Sequence, residues 1–400
     1  MLEFQISDLL KLKLEDGIAN IYIKGELFKQ CKHVTIKRKV DELEDLLEFD
    51  SIDELIDNTL VEDIKKDIEY YLPFNERPRE ISPAEEFWVH CSNLQIWKEN
   101  NYNSLILHRN LAFPLLKRLT EVGDAEAKKM FKEEIAKRLE SGYHPVIKYL
   151  QSEGFTEYLN RDDLFSILLN YQEYEAISKL FDGKIDDIVW HYRFDQELVK
   201  EYYDILIFNK SVVGLNLSNK NLKEIPKEIE SLHALRYLNL DDNNLKTLPR
   251  IIGNFKDLKE LRVSNNRLEE IPDEINKLTY LEQLFLDSNN LKIIPKSIGE
   301  LKSLKLLYLY LNNIEELPES IGKLRNLKNI SLMSNCLKEL PFSMRELESL
   351  KRLDIRSNKL HELNEEILNI KNLEEIHIDE YLKIEETTKK LKKKGVKVLF

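Results

Sequence analysis

The segment FWVHCSNLQIW, residues 87–97, sets a histidine beside a cysteine, with Asn93 close by and a tryptophan on each flank. Those types could supply a nucleophile and its base, half of a metal site, or a packed core segment. Adjacent residues do not serve each other across one face. In a strand His90 and Cys91 point to opposite sides, and in a helix they diverge by about 100°. A Cys–His dyad would need His33, His108, His144 or His191 from elsewhere. No Ser/His/Asp signature, HExxH or GxxxxGK[ST] occurs. Cys31 with His33 and Cys91 with His90 could together make a Cys2His2 zinc set, but the pairs lack an accepted ligand spacing. Phe87, Leu94, Ile96 and the two tryptophans favour burial, and cysteine is among the most often buried residue types. The expectation is a packed helix or turn, with no catalytic residue, no metal and no cofactor.

What must position any site is set by length and composition. A chain of 400 residues exceeds one ordinary hydrophobic core, so two domains are expected. With 42% hydrophobic and 33% charged residues it reads as a folded, soluble chain. No apolar run of about 18 residues marks a membrane span, and the N-terminus lacks the basic-then-apolar order of a signal peptide. Three widely spaced cysteines, Cys31, Cys91 and Cys336, fit reduced thiols in a cytoplasmic setting. A net charge of −12 argues against sequence-independent binding to nucleic acid.

The C-terminal half repeats itself. Asn243, Asn266, Asn289, Asn312, Asn335 and Asn358 stand 23 residues apart. Apolar residues lie three and five positions before each (Leu284 and Leu286 before Asn289, for example) and two positions after it (Leu291). Lys220 and Tyr381 fill the asparagine slot in degenerate flanking units. Alternating leucines mark a short strand with one buried face. The asparagine amide can satisfy backbone groups that a buried turn would otherwise leave unpaired. Each unit then returns through LPxxIGxL, with Pro249, Pro272, Pro295, Pro318 and Pro341 in register and Asn364 breaking it. Strands stacked at about 4.8 Å make a curved parallel solenoid. DQELVKEYYDILIFNK, 195–210, reads as a capping helix, and EETTKKLKKKGVKVLF as a final helix, a Gly395 stop and a last strand.

This LxxLxLxxNxL pattern, as in LEQLFLDSNNLKIIPKSIGELKS, closely resembles the 23-residue class of intracellular Ras-group leucine-rich-repeat scaffolds over residues 211–380. The resemblance implies protein–protein binding without naming a partner. The fold class expected is α/β: a leucine-rich-repeat solenoid with its parallel sheet on the concave face, C-terminal to an α+β, mostly helical domain.

Residues between the strand leucines face the concave side. One column runs Asn216, Asn239, Arg262, Phe285, Tyr308, Ser331, Asp354, His377. The next runs Ser218, Asp241, Ser264, Asp287, Tyr310, Met333, Arg356, Asp379, and a third includes Tyr237, Gln283, Leu306, Asn329 and Arg352. Phe285, Leu306, Tyr308, Tyr310, Leu311 and Met333 thus cluster on exposed positions. Asp241, Asp242 and Asp287 lie toward one end, Arg352 and Arg356 toward the other. An aromatic centre flanked by charge is the anatomy of a binding hot spot. The partner-binding residues expected are Tyr237, Asp241, Arg262, Phe285, Asp287, Leu306, Tyr308, Tyr310, Met333, Arg352 and Arg356.

Toward the N-terminus, LKLKLEDG and IANIYIKGELF alternate and turn at glycines, and KHVTIKRKV follows, so residues 1–72 read as a small β-meander plus an acidic amphipathic helix. Residues 84–194 read as a helical bundle, with a stop-then-cap signal at Gly123-Asp124, and 195–400 as the solenoid with its caps. EFWVHCSNLQIWKENNYNS and the stretch after it, with FKQCKHVTI upstream, resemble an N-terminal module of uncharacterised archaeal leucine-rich-repeat proteins, which implies architecture and an archaeal type of origin only. The whole points to a cytoplasmic scaffold that is not an enzyme. Its concave face would bind a protein, by resemblance a small GTPase or its regulator; no nucleic acid, membrane span or small-molecule substrate is expected. The alternative is a thiol-dependent transferase acting through Cys91, or another enzyme acting through the N-terminal domain, with the repeats selecting substrate.

Overall fold

The computed structural model describes residues 2–28, 82–107, 109–192, 203–363, 365–382 and 385–400. The chain divides into two compact units: residues 1–146 with 152–159, and residues 147–151 with 160–400.

In the first unit, β1 (Leu2–Gln5), β2 (Leu10–Glu15), β3 (Ile18–Ile23) and β4 (Glu26–Phe28) form an antiparallel meander. Asp16-Gly17 and Lys24-Gly25 close its two tightest turns with positive φ at both residues, the geometry that matches the right-handed twist of paired strands. The KHVTIKRKV strand and the acidic helix expected after it lie outside the described residues.

Helix α1 (Pro83–Glu99) starts at a capping box: Ser82 Oγ accepts from the Glu85 N–H at 3.3 Å, and Glu85 accepts from the Ser82 N–H at 2.8 Å. Its inner stripe is Phe87, Cys91, Leu94 and Trp97. Trp88 and Ile96, expected inside, are 48% and 47% exposed because they fall off that stripe. Helices α2 (Arg109–Glu121) and α3 (Ala125–Glu140) follow as a hairpin through Gly123, whose φ of 100° suits glycine alone, and Asp124, which caps α3. Phe113, Phe131 and Phe155 meet edge-on or tilted in this core. Helix α4 (His144–Ser152) lends residues 147–151 to the second unit.

The second unit begins with α5 (Arg161–Leu168) and α6 (Tyr171–Leu180), capped by Asn160 and Asn170. Then come β5 (Trp190–Tyr192), β6 (Ile205–Phe208) and β7 (Ser211–Asn216). The capping helix expected over 195–210 is corrected here. Residues 193–202 lie outside the described residues, and Ile205–Phe208 is a strand. Ile205, Leu206 and Ile207 are all buried, and Asn209 and Lys210, both at positive φ, turn the chain back as an antiparallel hairpin. The compact unit that holds the repeats also takes in residues 160–192. Helix α6 packs into the cap: the buried Glu173 carboxylate accepts from the Val212 N–H at 2.5 Å.

The repeat strands are β8 (Tyr237–Asn239), β9 (Glu260–Arg262), β10 (Gln283–Phe285), β11 (Leu306–Tyr308), β12 (Asn329–Ser331), β13 (Arg352–Asp354) and β14 (Glu375–His377). Helix α7 (Glu385–Lys393) and β15 (Lys397–Leu399) close the array. These strands with β5–β7 form one 11-stranded sheet in chain order, parallel throughout except at β6–β7. Register is set by the buried leucines: Leu238, Leu261, Leu284, Leu307, Ile330, Leu353 and Ile376 stand level.

The asparagines are hydrogen-bonded on every side. Asn289 donates to the carbonyls of Val263 (2.9 Å), Leu286 (3.1 Å) and Asp287 (3.2 Å), and accepts from the Leu268 N–H at 2.9 Å. Asn243, Asn266, Asn312, Asn335 and Asn358 repeat the arrangement one unit apart, each tying its own turn to the preceding one. Asn364 lies outside the described residues.

Candidate protein-binding surface

On the concave face the structure brings four of the expected residues into one run. The Arg262 guanidinium lies 4.4 Å from the Phe285 ring centre, Phe285 and Tyr308 are 5.2 Å apart, and Tyr308 and Tyr310 meet edge-on at 6.4 Å. All four side chains are half-buried by their neighbours on adjacent strands, as are Leu306 and Met333 beside them. Burial, and a hydrogen bond to Asp287, push the Tyr310 phenol up to about 12.

Three of the expected residues, Tyr237, Asp241 and Asp287, are buried rather than exposed. Tyr237 is only 7% exposed, packed on Leu206 and Val213 with Tyr203, Phe208 and Ala234 around them. The hairpin β6–β7 extends the sheet past β8 and covers that ring; a Cβ at Gly214 would fall 2.8 Å from Leu206, so glycine is what admits the covering side chain. Asp241 and Asp287 are also buried and face inward partners rather than solvent. Asp241 accepts from Arg262 Nε and the Ser264 N–H, each at 2.7 Å, while Ser264 Oγ donates to Asp287 at 2.7 Å. These carboxylates brace the floor beneath the aromatic run.

At the other end Arg352 is exposed, whereas Arg356 is held by Asp354 through bonds of 3.0 and 2.6 Å. Sequence reasoning overlooked Glu260, which shares the register of Tyr237 and Gln283 and is buried beside Arg262. That register was the signal that could have found it.

Leu311 breaks a local rule. The residue before each repeat asparagine sits at φ 54–57°, and elsewhere it is Asp242, Asn265, Ser288, Ser334 or Ser357, short polar types that tolerate a left-handed backbone. Leucine does so at a cost of about 1 kcal/mol while leaving its side chain 48% exposed. Leu311→Asn is therefore expected to stabilise the protein by about 1 kcal/mol, read as a higher urea midpoint at unchanged slope. A lower midpoint would show that the leucine side chain more than offsets its backbone.

Cys91 has little thiolate chemistry available. It is 1% exposed, and burial pushes its thiol up to about 11. His90 points to Glu86 at 3.7 Å. Cys31, His33 and His108 lie outside the described residues, and among the described residues no group of three or more histidine, cysteine or acidic side chains could hold a metal.

Residues 214–293 and 283–399 match the leucine-rich repeat region family. Solved structures similar to the chain include a leucine-rich-repeat protein of Leptospira interrogans, 36% identical over 46% of this chain and 53% of that one, at a TM-score of 0.41. Another is internalin C2 of Listeria monocytogenes, 24% identical over 47% of this chain and 79% of that one, also at 0.41. The chain thus spans about half the length of the Leptospira protein, 53%. None of the curated proteins matches it. The family match, the 23-residue register and the parallel sheet together make residues 214–399 a leucine-rich-repeat region, folded as a solenoid that follows a mostly helical N-terminal part.

Proposed function

We propose that the concave face binds a protein ligand, with Phe285, Leu306, Tyr308, Tyr310, Leu311 and Met333 as anchors, Arg262 beneath them and Arg352 at the rim. Leucine-rich-repeat regions are interaction modules whose curvature presents an extended binding surface. The observation that carries the assignment is Leu311: an exposed apolar side chain kept at a backbone position that penalises it, beside three contiguous aromatic rings. The resemblance to Ras-group repeats favours a small GTPase or its regulator as partner and a cytoplasmic scaffold as the setting. The buried, high-pKa thiol at Cys91 weighs against the transferase alternative.

The test is paired affinity capture from native extract, read by mass spectrometry, with the intact protein and Tyr308→Ala/Tyr310→Ala as baits once circular dichroism shows both folded. A partner held by the first should bind the second at least about thirtyfold more weakly, since truncating a central aromatic anchor costs about 2 kcal/mol. Tyr310→Phe separates the ring from its bond to Asp287. Identical capture by intact and double-variant baits overturns the assignment.

A further inference from the structure

A small cavity opens on the same sheet next to the aromatic run, in the direction of the cap. It measures about 160 Å³ and is lined by Tyr203, Asn216, Tyr237, Asn239, Glu260 and Arg262. That is room for on the order of five waters at roughly 30 Å³ each, or for the end of one long side chain. Among the described residues its charge does not balance. Asp241, Glu260 and Asp287 set three carboxylates around the single guanidinium of Arg262. Asp241 takes the guanidinium at 2.7 Å, and Asp287 takes the Ser264 hydroxyl. Glu260 is left with Arg262 Nη1 at 3.8 Å from one oxygen, while Oε2, buried in a residue only 9% exposed, meets no donor among the described residues. Asn216 and Asn239 each spend one Oδ1 lone pair on a backbone N–H, at 3.0 and 2.9 Å, and have another to offer.

A buried carboxylate oxygen without a partner is costly unless something supplies one. Burial holds the Glu260 carboxyl above the usual carboxylate range, as a group short of a cation would be.

We propose that this cavity is the specificity pocket for a lysine or arginine side chain of the protein ligand, with Glu260 as its counter-ion and the Asn216 and Asn239 amides as further acceptors. The inference rests on the reading of the concave face as the binding surface, and it adds that the ligand carries a basic residue beside whatever the aromatic anchors grip. The acidic balance of the chain, −12, favours such a partner in its approach.

The test titrates the full chain, 13C-labelled at glutamate, with the methylamides of Nα-acetyl-arginine, Nα-acetyl-lysine and Nα-acetyl-citrulline. The Glu260 carboxyl carbon is assigned as the signal missing from Glu260→Gln. A saturable shift with the arginine or lysine derivative, weakened at least about tenfold with the uncharged citrulline derivative and absent from the other glutamates, supports the pocket. Glu260→Gln should fold with an equal or higher thermal midpoint, since it removes an unpartnered buried charge, and should bind the arginine derivative at least about tenfold more weakly by calorimetry; a role in stability alone would lower the midpoint instead. No saturable shift, or an equal one with citrulline, overturns the proposal. The small probes report on the cavity without the aromatic anchors, so Tyr308→Ala keeps the shift. If arginine binds while capture is indifferent to Tyr308 and Tyr310, the pocket stands and the aromatic assignment falls.

Discussion

Replacing Asn312 with alanine lowers the stability of the repeat region by about 4 kcal/mol. The side chain is 7% exposed and donates to the carbonyls of Leu286 (3.0 Å), Leu309 (3.0 Å) and Tyr310 (3.4 Å), while accepting from the Leu291 N–H at 3.0 Å. Alanine leaves the buried Leu291 N–H without its partner, worth about 1–3 kcal/mol of desolvation, and removes donated bonds worth about 0.5–1.5 kcal/mol each from carbonyls that keep Asn289, Asn335 and the Ser288 N–H. The lost side-chain entropy of asparagine returns less than that. The damage crosses a repeat boundary, because Leu286 and Leu291 belong to the unit before, so the interface that couples neighbouring repeats weakens with it. Urea unfolding followed by circular dichroism should show a lower midpoint and a separate early transition. Asn312→Asp isolates the donor role. Aspartate still accepts from Leu291 but faces three carbonyls with a buried carboxylate, so it should be no milder than alanine. An aspartate variant as stable as the parent would mean that the donated bonds carry little.

The asparagine ladder was legible because its physics is local and repeats: an amide able to donate and accept, at a fixed place after a buried strand, recurs every 23 residues. The concave columns were legible for the same reason, since strand alternation fixes which residues share a face. What the columns could not say is which neighbours pair sideways. Asp241 with Arg262 and Ser264 with Asp287 are 21 and 23 residues apart in sequence, and those bonds tie the two carboxylates to neighbouring repeats. The cap was misread for a different reason. ILIF fits a buried strand as well as the end of an amphipathic helix, and the open sheet edge decided for the strand. That choice also buried Tyr237, so one local error changed the surroundings of a residue at a distance. In the first unit, the spacing of Phe87, Cys91, Leu94 and Trp97 already described one helix face; Trp88 and Ile96 were expected inside on hydrophobicity when the period places them off it.

On the convex side, Gly322→Val is expected to cost about 3 kcal/mol. The glycine backbone does not adopt a left-handed φ, so conformational freedom is not the reason for it. The reason is spacing. A Cβ at 322 would lie 2.4 Å from the Ser343 carbonyl oxygen and 2.6 Å from Ser343 Cβ, and at Gly299 the Ser320 carbonyl would be 2.3 Å away. Turns of successive repeats are pressed together there, glycine against serine, and the buried Ser320 and Ser343 hydroxyls meet no partner among the described residues. Those serines are there for their size. Replacing glycine at an ordinary φ gains about 0.4–1 kcal/mol through the unfolded chain, but overpacking costs about 1–3, and a branched side chain against a backbone oxygen falls at or beyond the upper end. Asn276 shows that the array can carry a side chain at this position when its spacing allows, so the strain should spread into neighbouring turns rather than abolish the fold. Gly322→Ala/Ser343→Gly should recover only part of the alanine penalty, because removing the serine Cβ leaves the carbonyl in place. Full recovery in that double-mutant cycle would move the clash from backbone to side chain, and no loss in Gly322→Val would show that the repeats are less tightly stacked than this packing implies.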